Sequence, residues 1–354
     1  MFDKKISLCM IVKNEEISLP KCLDSVRSYV DEIVIVDTGS NDRTIEAAKE
    51  FTSLVYHFPW GNDFSAARNN SISKAANDWI LVLDADEIVT DYNQDSINRF
   101  ITNDTYCIGR LKRINPFEDN FGVKKYIERV NRLFNRNNFC YQGIIHEQIV
   151  AKKDFPYKTK NVEIVLDHIG YTKEVVQKTN KLSRNISLLN AAIINDVADP
   201  YLHYQLGKSY YMAKEYNLAA DSFERAVNLK INLKYEYIQD LLETYGYSLI
   251  NSGKYEQALF LELYSSIYKK SPDYNFLMGL IYMNNAMFQQ ATDSFKMCIG
   301  SVEGKIQGIN SYLPNYNIGV IYECLGYMAE AKKYYKKCGA YTPALQRLLN
   351  IKIN

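Results

Sequence analysis

The stretch Trp79-Ile-Leu-Val-Leu-Asp84-Ala-Asp86-Glu87 decides how the first half of the chain is read. Trp79 to Leu83 is a short apolar run, suited to a strand buried on both faces, and it delivers two carboxylates, two residues apart, to its carboxyl end. The same kind of run precedes it three times. Ile6 to Val12, Ile33 to Val36 and Leu54 to His57 read as strands. Between them, Ile17 to Tyr29 carries Leu19, Cys22, Leu23 and Val26 at helical spacing, and Asp42 to Phe51 reads as a helix capped by Ser40 or Asn41. Ala66 to Ala76 reads as a third helix. This β-α-β-α-β-α-β order predicts a mostly parallel, Rossmann-like sheet with helices on both faces. Ligands bind such sheets beyond the carboxyl ends of the strands, where Asp37, Asp84 and Asp86 all fall. Cys107–Leu111 and Glu163–Leu166 are short strand candidates in the remainder of the same domain.

From Asp199 onward the chain repeats itself. Leu206-Gly207-x-x-Tyr210 is followed by Ala219, Phe223 and Ala226, and the register recurs as Met278-Gly279-x-x-Tyr282 with Ala291, Phe295 and Cys298. It recurs again as Ile318-Gly319-x-x-Tyr322 with Ala331, Tyr335, Cys338 and Pro343, and more weakly at Tyr245-Gly246 with Ala258. The glycines lie 39, 33 and 40 residues apart, against a tetratricopeptide period of about 34, so insertions interrupt the array. Small residues let paired helices approach, and aromatic ones fill the gaps between neighbouring pairs. The organisation expected is therefore a catalytic α/β domain over 1–172, a polar connecting helix over 173–198, and an all-α TPR-like domain over 199–354.

The totals exclude some functions. With Lys+Arg 42 and Asp+Glu 41 the net charge is +1, which gives no field for a long polyanion, so nucleic acid is not an expected partner. The 7 cysteines are odd in number, and none has C-x-x-C spacing. That argues against a disulfide framework and for a reducing, cytoplasmic setting. The N-terminal apolar run is followed at once by Lys13-Asn-Glu-Glu16 and reads as a strand, not a signal peptide. Nowhere is there a run of about 18 apolar residues, so no transmembrane segment is expected.

A carboxylate cannot hold a pyrophosphate directly, but Mg²⁺ or Mn²⁺ bridges the two, because both prefer oxygen ligands. An isolated Asp-x-Asp is a weak signal, commonly a solvated acidic turn. Here it has company: Met10-Ile-Val-Lys-Asn-Glu-Glu16, Ile33-Val-Ile-Val-Asp37-Thr-Gly-Ser40-Asn-Asp-Arg-Thr44, and Trp60-Gly-Asn-Asp63-Phe-Ser-Ala-Ala-Arg68-Asn69 precede Leu83-Asp84-Ala-Asp86-Glu87 in order. Together these resemble the family 2 glycosyltransferases, which have the GT-A fold. The resemblance implies that Val12, Asn14, Glu15 and Gly39 line a nucleotide-sugar pocket with Asp63. Asp37 would bind the base, Arg68 would face the nucleotide, Asp84 the ribose and metal, and Asp86 the metal under the diphosphate. The other readings are that Asp37 caps a helix next to Ser40 and that Arg68 pairs with Asp63.

Further on, Arg129-Val-Asn-Arg132-Leu-Phe-Asn-Arg136, Gly143-Ile-Ile-His146-Glu147 and His168-Ile-Gly170-Tyr171 resemble the subgroup of lipopolysaccharide-core glucosyltransferases and peptide S-glycosyltransferases of the sublancin type. Transfer needs a general base. Glu147 is the candidate, with His146 as the fallback, unless Glu147 simply pairs with Arg129, Arg132 or Arg136. His168 is either a third metal ligand or a packed core histidine. His57 and His203 read as structural.

The function expected is inverting, metal-dependent transfer of a sugar from a nucleotide-sugar, UDP-sugar by resemblance, to a protein or peptide acceptor on Cys, Ser or Thr, docked on the repeats. The alternative acceptor is a cell-envelope saccharide or lipid-linked sugar. A homodimer is left open. A nucleotidyltransferase would need a Gly-rich phosphate loop that is not visible, and a non-catalytic repeat scaffold would not need the acidic set to be intact.

Overall fold

The computed structural model describes residues 5–119, 122–168 and 181–351. The chain divides into two compact units. Met1–Phe117 with Ile127–Thr179 forms the first, and Glu118–Tyr126 with Asn180–Asn354 the second.

The first unit is built on an eight-stranded sheet. Its strands are β1 (Ile6–Val12), β2 (Glu32–Asp37), β3 (Val55–His57), β4 (Trp79–Val82), β5 (Glu87–Tyr92), β6 (Cys107–Asp119), β7 (Gly122–Asn135) and β10 (Lys158–His168), in the order β3-β2-β1-β4-β7-β6-β10-β5. The pairs β1/β2, β1/β4, β2/β3 and β6/β10 are parallel, while β4/β7 and β5/β10 are antiparallel. β8 (Phe139–Gln142) and β9 (Gln148–Ala151) make a separate two-stranded ribbon. The helices are α1 (Ser18–Val26), α2 (Thr44–Lys49), α3 (Phe64–Lys74) and α4 (Gln94–Asn103).

Period-two alternation along β1 explains the layering. Ile6, Leu8, Met10 and Val12 pack on one face with α1 (Leu19, Cys22, Leu23, Val26) and α4 (Ile97, Phe100, Ile101). Cys9 packs on the other with Val34, Ile80, Val82, Ile72 of α3 and the ribbon residues Phe139, Tyr141 and Ile149. The sequence expectation for α2 needs correction. The helix begins at Thr44 without a side-chain cap. Ser40 Oγ accepts the Asn14 amide at 2.9 Å, Thr44 Oγ1 accepts the Glu15 amide at 2.7 Å, and the Asn41 amide donates to Asn14 Oδ1 at 2.8 Å. Two loops tie each other down, so neither Ser40 nor Asn41 is spent on the helix. The strand candidates at 107–111 and 163–166 are the cores of longer strands, and β5 follows the acidic turn directly.

The second unit is helical. The connecting helix is described from α5 (Lys181–Asn195); residues 173–180, and Gly170 and Tyr171 before them, lie outside the described residues. Then come α6 (Pro200–Met212), α7 (Tyr216–Asn228), α8 (Glu236–Asn251), the short α9 (Tyr255–Ala258), a 3₁₀ turn (Leu259–Tyr264), α10 (Ser265–Tyr268), α11 (Pro272–Asn284), α12 (Phe288–Cys298), α13 (Tyr312–Cys324), α14 (Met328–Lys336) and α15 (Thr342–Asn350). Asp199 and Ser271 cap α6 and α11, each followed by proline in the first turn, where the missing N–H costs nothing. Among the described residues, no helix is long and apolar enough to cross a membrane.

The repeat glycines have a steric reason. A Cβ on Gly207 would lie 2.6 Å from the Phe223 ring, one on Gly279 2.5 Å from Phe295, and one on Gly319 2.5 Å from Tyr335. In each pair the first helix gives up its side chain so that the second can press a ring against its backbone. Gly279→Ala should therefore destabilise the helical unit by about 1–3 kcal/mol through overpacking, read by urea denaturation. Shrinking the ring in Gly279→Ala/Phe295→Leu should recover part of that loss; an unchanged midpoint in the single variant would refute the steric account.

Candidate active site

The acidic turn is clasped by its own third side chain. The Glu87 amide donates to the Asp84 carbonyl at 3.0 Å, and Glu87 Oε2 accepts the Asp84 amide at 2.9 Å. Glu87 is fully buried. Its other oxygen, Oε1, accepts from Arg113 of β6 at 2.9 Å and from Arg132 of β7 at 3.0 Å. Arg132 also donates to Asp84 Oδ2, and Arg68 of α3 donates to Asp84 Oδ1 at 2.9 Å and, through Nε, to Glu147. On the other side Arg113 and Asn115 both reach Glu128 Oε1, at 2.9 and 2.7 Å. Asn115 Oδ1 meets His168 Nδ1 at 2.7 Å, and His168 Nε2 faces Asp86 Oδ2 at 3.3 Å. A continuous line of polar contacts thus runs from Glu147 to Asp86.

The fold delivers these groups by simple periodicity. Arg113 and Asn115 are two apart on β6 and Glu128 and Arg132 four apart on β7, so each pair shares one face. β10 pairs with β5 so that His168 stands opposite Glu87. Arg68 and its neighbour divide the work of α3. Arg68 faces the acids, while Asn69 holds the backbone of Tyr141 through two hydrogen bonds, at 2.8 and 2.9 Å. Tyr141 lies under the Arg68 guanidinium, 5.5 Å from ring centre to Cζ. Glu147 arrives on a loop that needs left-handed backbone at Gly143 (φ 105) and His146 (φ 50), and the Ile144 carbonyl accepts the Phe64 amide at 2.9 Å.

These contacts set the charge states. Burial works against the Arg68 cation, but the Asp84 and Glu147 carboxylates outweigh it and hold its pKa above the ordinary arginine value. Arg132 and Arg113 are held up in the same way, against burial, by Asp84 and Glu87 and by Glu128 and Glu87 respectively. For Asp84, burial pushes the carboxyl up, and Arg132 and Arg68 together drive it well below its ordinary 3.8. Burial raises the Tyr141 phenol and the Cys22 thiol under the turn, so neither is an available nucleophile.

The expected site residues divide. Arg68, Asp84, Asp86, Glu147 and His168 belong to one network. Arg68 pairs with Asp84 and Glu147 and not with Asp63, which caps α3 by accepting the Ala66 amide at 2.9 Å. Glu147 pairs with Arg68 and with none of the three arginines proposed for it. Arg136 instead donates to the Ile72 and Ala75 carbonyls at the end of α3. Asp37 is buried and accepts the Gly39 amide at 3.0 Å and the Ser40 amide at 3.2 Å, with His57 Nδ1 at 3.5 Å. Gly39 has φ 108, which permits that tight return. The Val12 carbonyl accepts the Thr38 amide at 2.9 Å, and Asn14 and Glu15 join the loop tie described above. His146 contributes its carbonyl to Gln148. His203 bonds the Val197 carbonyl at 3.0 Å.

For a divalent cation the expected pair of aspartates is split. Both oxygens of Asp84 are taken by guanidinium groups, whereas Asp86 lies beside His168. Among the described residues no three carboxylate, imidazole or thiol groups converge into a ready-made cage. A two-ligand site still suits Mg²⁺ or Mn²⁺, which keep waters and share substrate phosphates. The donor set fits in one further respect. Asn115 donates its Nδ2 to Glu128, so its Oδ1 is an acceptor and His168 Nδ1 must be the donor. The other ring nitrogen, Nε2, then faces an Asp86 carboxylate oxygen, where either a proton or a metal ion supplies the positive charge between them. Metal-binding histidines are oriented by this kind of outer contact.

Glu87, Arg113, Asn115 and Glu128 were not singled out from sequence for any role. The alternation of Arg113 with Asn115, in a strand facing the acidic turn, was the available signal.

Residues 7–151 match the family model for glycosyl transferase family 2, and residues 314–343 match that for the tetratricopeptide repeat. The chain thus carries a family 2 glycosyltransferase domain and a tetratricopeptide-type helical region. It is 34% identical over 212 residues to a TPR repeat-containing protein of Synechococcus elongatus, covering 57% of this chain and 51% of that one. It is 24% identical over 290 residues to the SPbeta prophage-derived glycosyltransferase SunS of Bacillus subtilis, covering 78% of this chain and 67% of that one. The chain therefore spans about half the length of the first relative. Among solved structures it resembles YrrB, a TPR protein with an unusual peptide-binding site, at 20% identity and a TM-score of 0.40, covering 50% of this chain and 86% of that one.

Two outcomes test the network. Glu87→Gln leaves Arg132 and Arg113 without their shared buried anion and should cost about 3–5 kcal/mol of unfolding free energy; a loss under about 1 kcal/mol would mean that the guanidinium groups do not depend on it. Asp84, with its folded-state pKa depressed, stabilises the fold above 3.8 and stops doing so as pH falls through the depressed value. The stability gap between wild type and Asp84→Asn should be flat at neutral and mildly acid pH and narrow only below 3.8. A gap that already closes at mildly acid pH would contradict the pairing.

Proposed function

We propose that this chain is a metal-dependent inverting glycosyltransferase that moves a sugar from a nucleotide-sugar, a UDP-sugar, to a Cys, Ser or Thr side chain of a protein or peptide. The observation that carries the reading is the Asp86–His168 pair, with its ring nitrogen fixed by Asn115, set in the same network as Arg68 and Glu147 beyond the carboxyl end of β4. A cation held by Asp86 and His168 would supply neutralisation of the departing diphosphate. Arg68 offers a second, fixed positive charge for the same developing anion, in a buried setting where it acts strongly. Asp84, neutralised by two guanidinium groups, orients them and presents a partly exposed carboxylate edge to the ribose. Asp37 and the tied loops at Asn14, Glu15 and Gly39 form the rigid wall on the base side.

Glu147 takes the proton from the acceptor nucleophile. Its carboxylate shares Arg68 with Asp84, so a diphosphate arriving at Arg68 competes with both for the guanidinium. The support for a protein or peptide acceptor is the helical-repeat region on the same chain, since such arrays present extended surfaces to peptides, together with the similarity to SunS.

Asp86→Ala should abolish Mn²⁺-dependent binding of UDP-sugar by calorimetry, and chelation of the wild type should do the same. Unchanged affinity in the variant would remove Asp86 from the metal. Glu147→Gln should keep donor binding and lose transfer by at least about a hundredfold; transfer at the wild-type rate would move the base elsewhere. No thermal shift with UDP and no UDP-sugar turnover, with or without Mn²⁺, would leave only a scaffold role.

A further inference from the structure

The helical unit holds a second polar cluster that the sugar chemistry does not use. Its centre is Asp240 on α8. Asp240 Oδ1 accepts from Lys305 Nζ at 2.8 Å and from Tyr126 Oη at 3.2 Å, and Oδ2 accepts from Tyr204 Oη at 2.6 Å and from Lys208 Nζ at 3.1 Å. Lys305 Nζ also donates to Glu243 Oε2 at 2.6 Å, one turn further along α8, and Gln239 holds the other Glu243 oxygen at 2.7 Å. Tyr204 and Lys208 are four apart on α6, so they share a face. The backbone of Lys305 is seated as well. Its amide donates to Asp273 Oδ1 on α11 at 2.9 Å, and a Cβ on the preceding Gly304 would come within 3.0 Å of that carboxylate.

α6, α8 and α11 are the first helices of successive pairs, and their side chains meet at this cluster. Lys305 lies in the insertion between α12 and α13, the irregular spacing that the sequence shows before Gly319. That insertion also captures a strand. Ile306 bridges Tyr126 in antiparallel register, and the Gln307 amide donates to the Lys125 carbonyl at 3.1 Å. Lys125 and Tyr126 belong to the segment Glu118–Tyr126, at the far end of the β6/β7 pair, which is counted with the helical unit and not with the sheet.

We propose that the face formed by α6, α8 and α11 is a receptor for a lysine-bearing loop and that the chain occupies it itself, with Lys305 as the anchoring side chain and Lys125–Tyr126 as the strand segment it retains. The array works as an internal clamp. A protein acceptor uses another part of its surface or must displace this loop. Burial opposes the Asp240 charge, and Lys208 and Lys305 outweigh it, so the anchor persists across the neutral range.

Hydrogen exchange of the full chain tests it. In Lys305→Ala the amides of Gln307 and Lys305 should exchange about tenfold faster or more, while those of α8 and α11 keep their protection. Adding n-propylamine, which supplies the missing carbons and nitrogen, should restore the slow exchange. If that variant does not fold because Asp240 and Glu243 are left as bare buried anions, Lys305→Met combined with Asp240→Asn and Glu243→Gln removes the anchor without stranding a charge and should show the same loss. Protection that persists in both variants, or that propylamine fails to restore in Lys305→Ala, would overturn the assignment.

Discussion

A single buried carboxylate, Glu87, is what the acidic turn and its surroundings are arranged around. A fully buried anion is tolerable only where opposite charge and hydrogen bonds surround it, and this one has both: two guanidinium groups on one oxygen and the Asp84 amide on the other. Because those guanidinium groups come from β6 and β7, the demand for compensation fixes where two central strands sit against the acidic turn. Because Arg132 also holds Asp84, it fixes which way the first aspartate of the turn points. Asp86, two residues on, projects to the opposite side and finds His168. The division of the Asp-x-Asp pair into one aspartate held by arginines and one beside an imidazole is thus a consequence of the third acid.

Much of this was legible in the sequence, for identifiable reasons. Strand runs such as Ile6–Val12 and Trp79–Val82 are buried on both faces, so continuous apolarity announces them. The carboxyl-end aspartates follow from the strand ends. Asp84, Asp86, Arg68, Glu147 and His168 lie within one polar network, although they are spread over a hundred residues of chain. What was not legible was the pairing. Arg68 has Asp63 five residues away, yet it meets Asp84 and Glu147, because Asp63 is consumed by the orphan amides of the helix start. Local sequence distance is a poor guide to ion pairing where a turn or helix end competes for the nearer acid. The same holds for Ser40, which serves a neighbouring loop and leaves α2 uncapped.

In the repeat region the glycines carried the information, since each marks a ring on the following helix. The abundance of tyrosine has a related cause. Tyr237, Tyr204, Phe223 and Tyr245 make a chain of tilted ring contacts across successive helices, and the Tyr204 hydroxyl reaches Asp240. Phenylalanine would fill the same space but could not serve the buried charges. The insertions that break the 34-residue rhythm look from sequence like decay of the pattern. In the structure the longest of them supplies Lys305.

Strand β7 is shared between the two units, divided at Tyr126 and Ile127. Toward Arg113, Glu128 and Arg132, β6 and β7 supply the charges that neutralise the acidic turn, and at Lys125–Tyr126 the same strand β7 is paired and hydrogen-bonded inside the helical unit. β7 is laddered to β4 over Leu133 to Asn135, at its other end. Two side chains of one strand, Tyr126 and Glu128, therefore answer to different cores. Tyr126 serves Asp240 in the helical unit, and Glu128, two residues on, serves Arg113 and Asn115 beside the acidic turn.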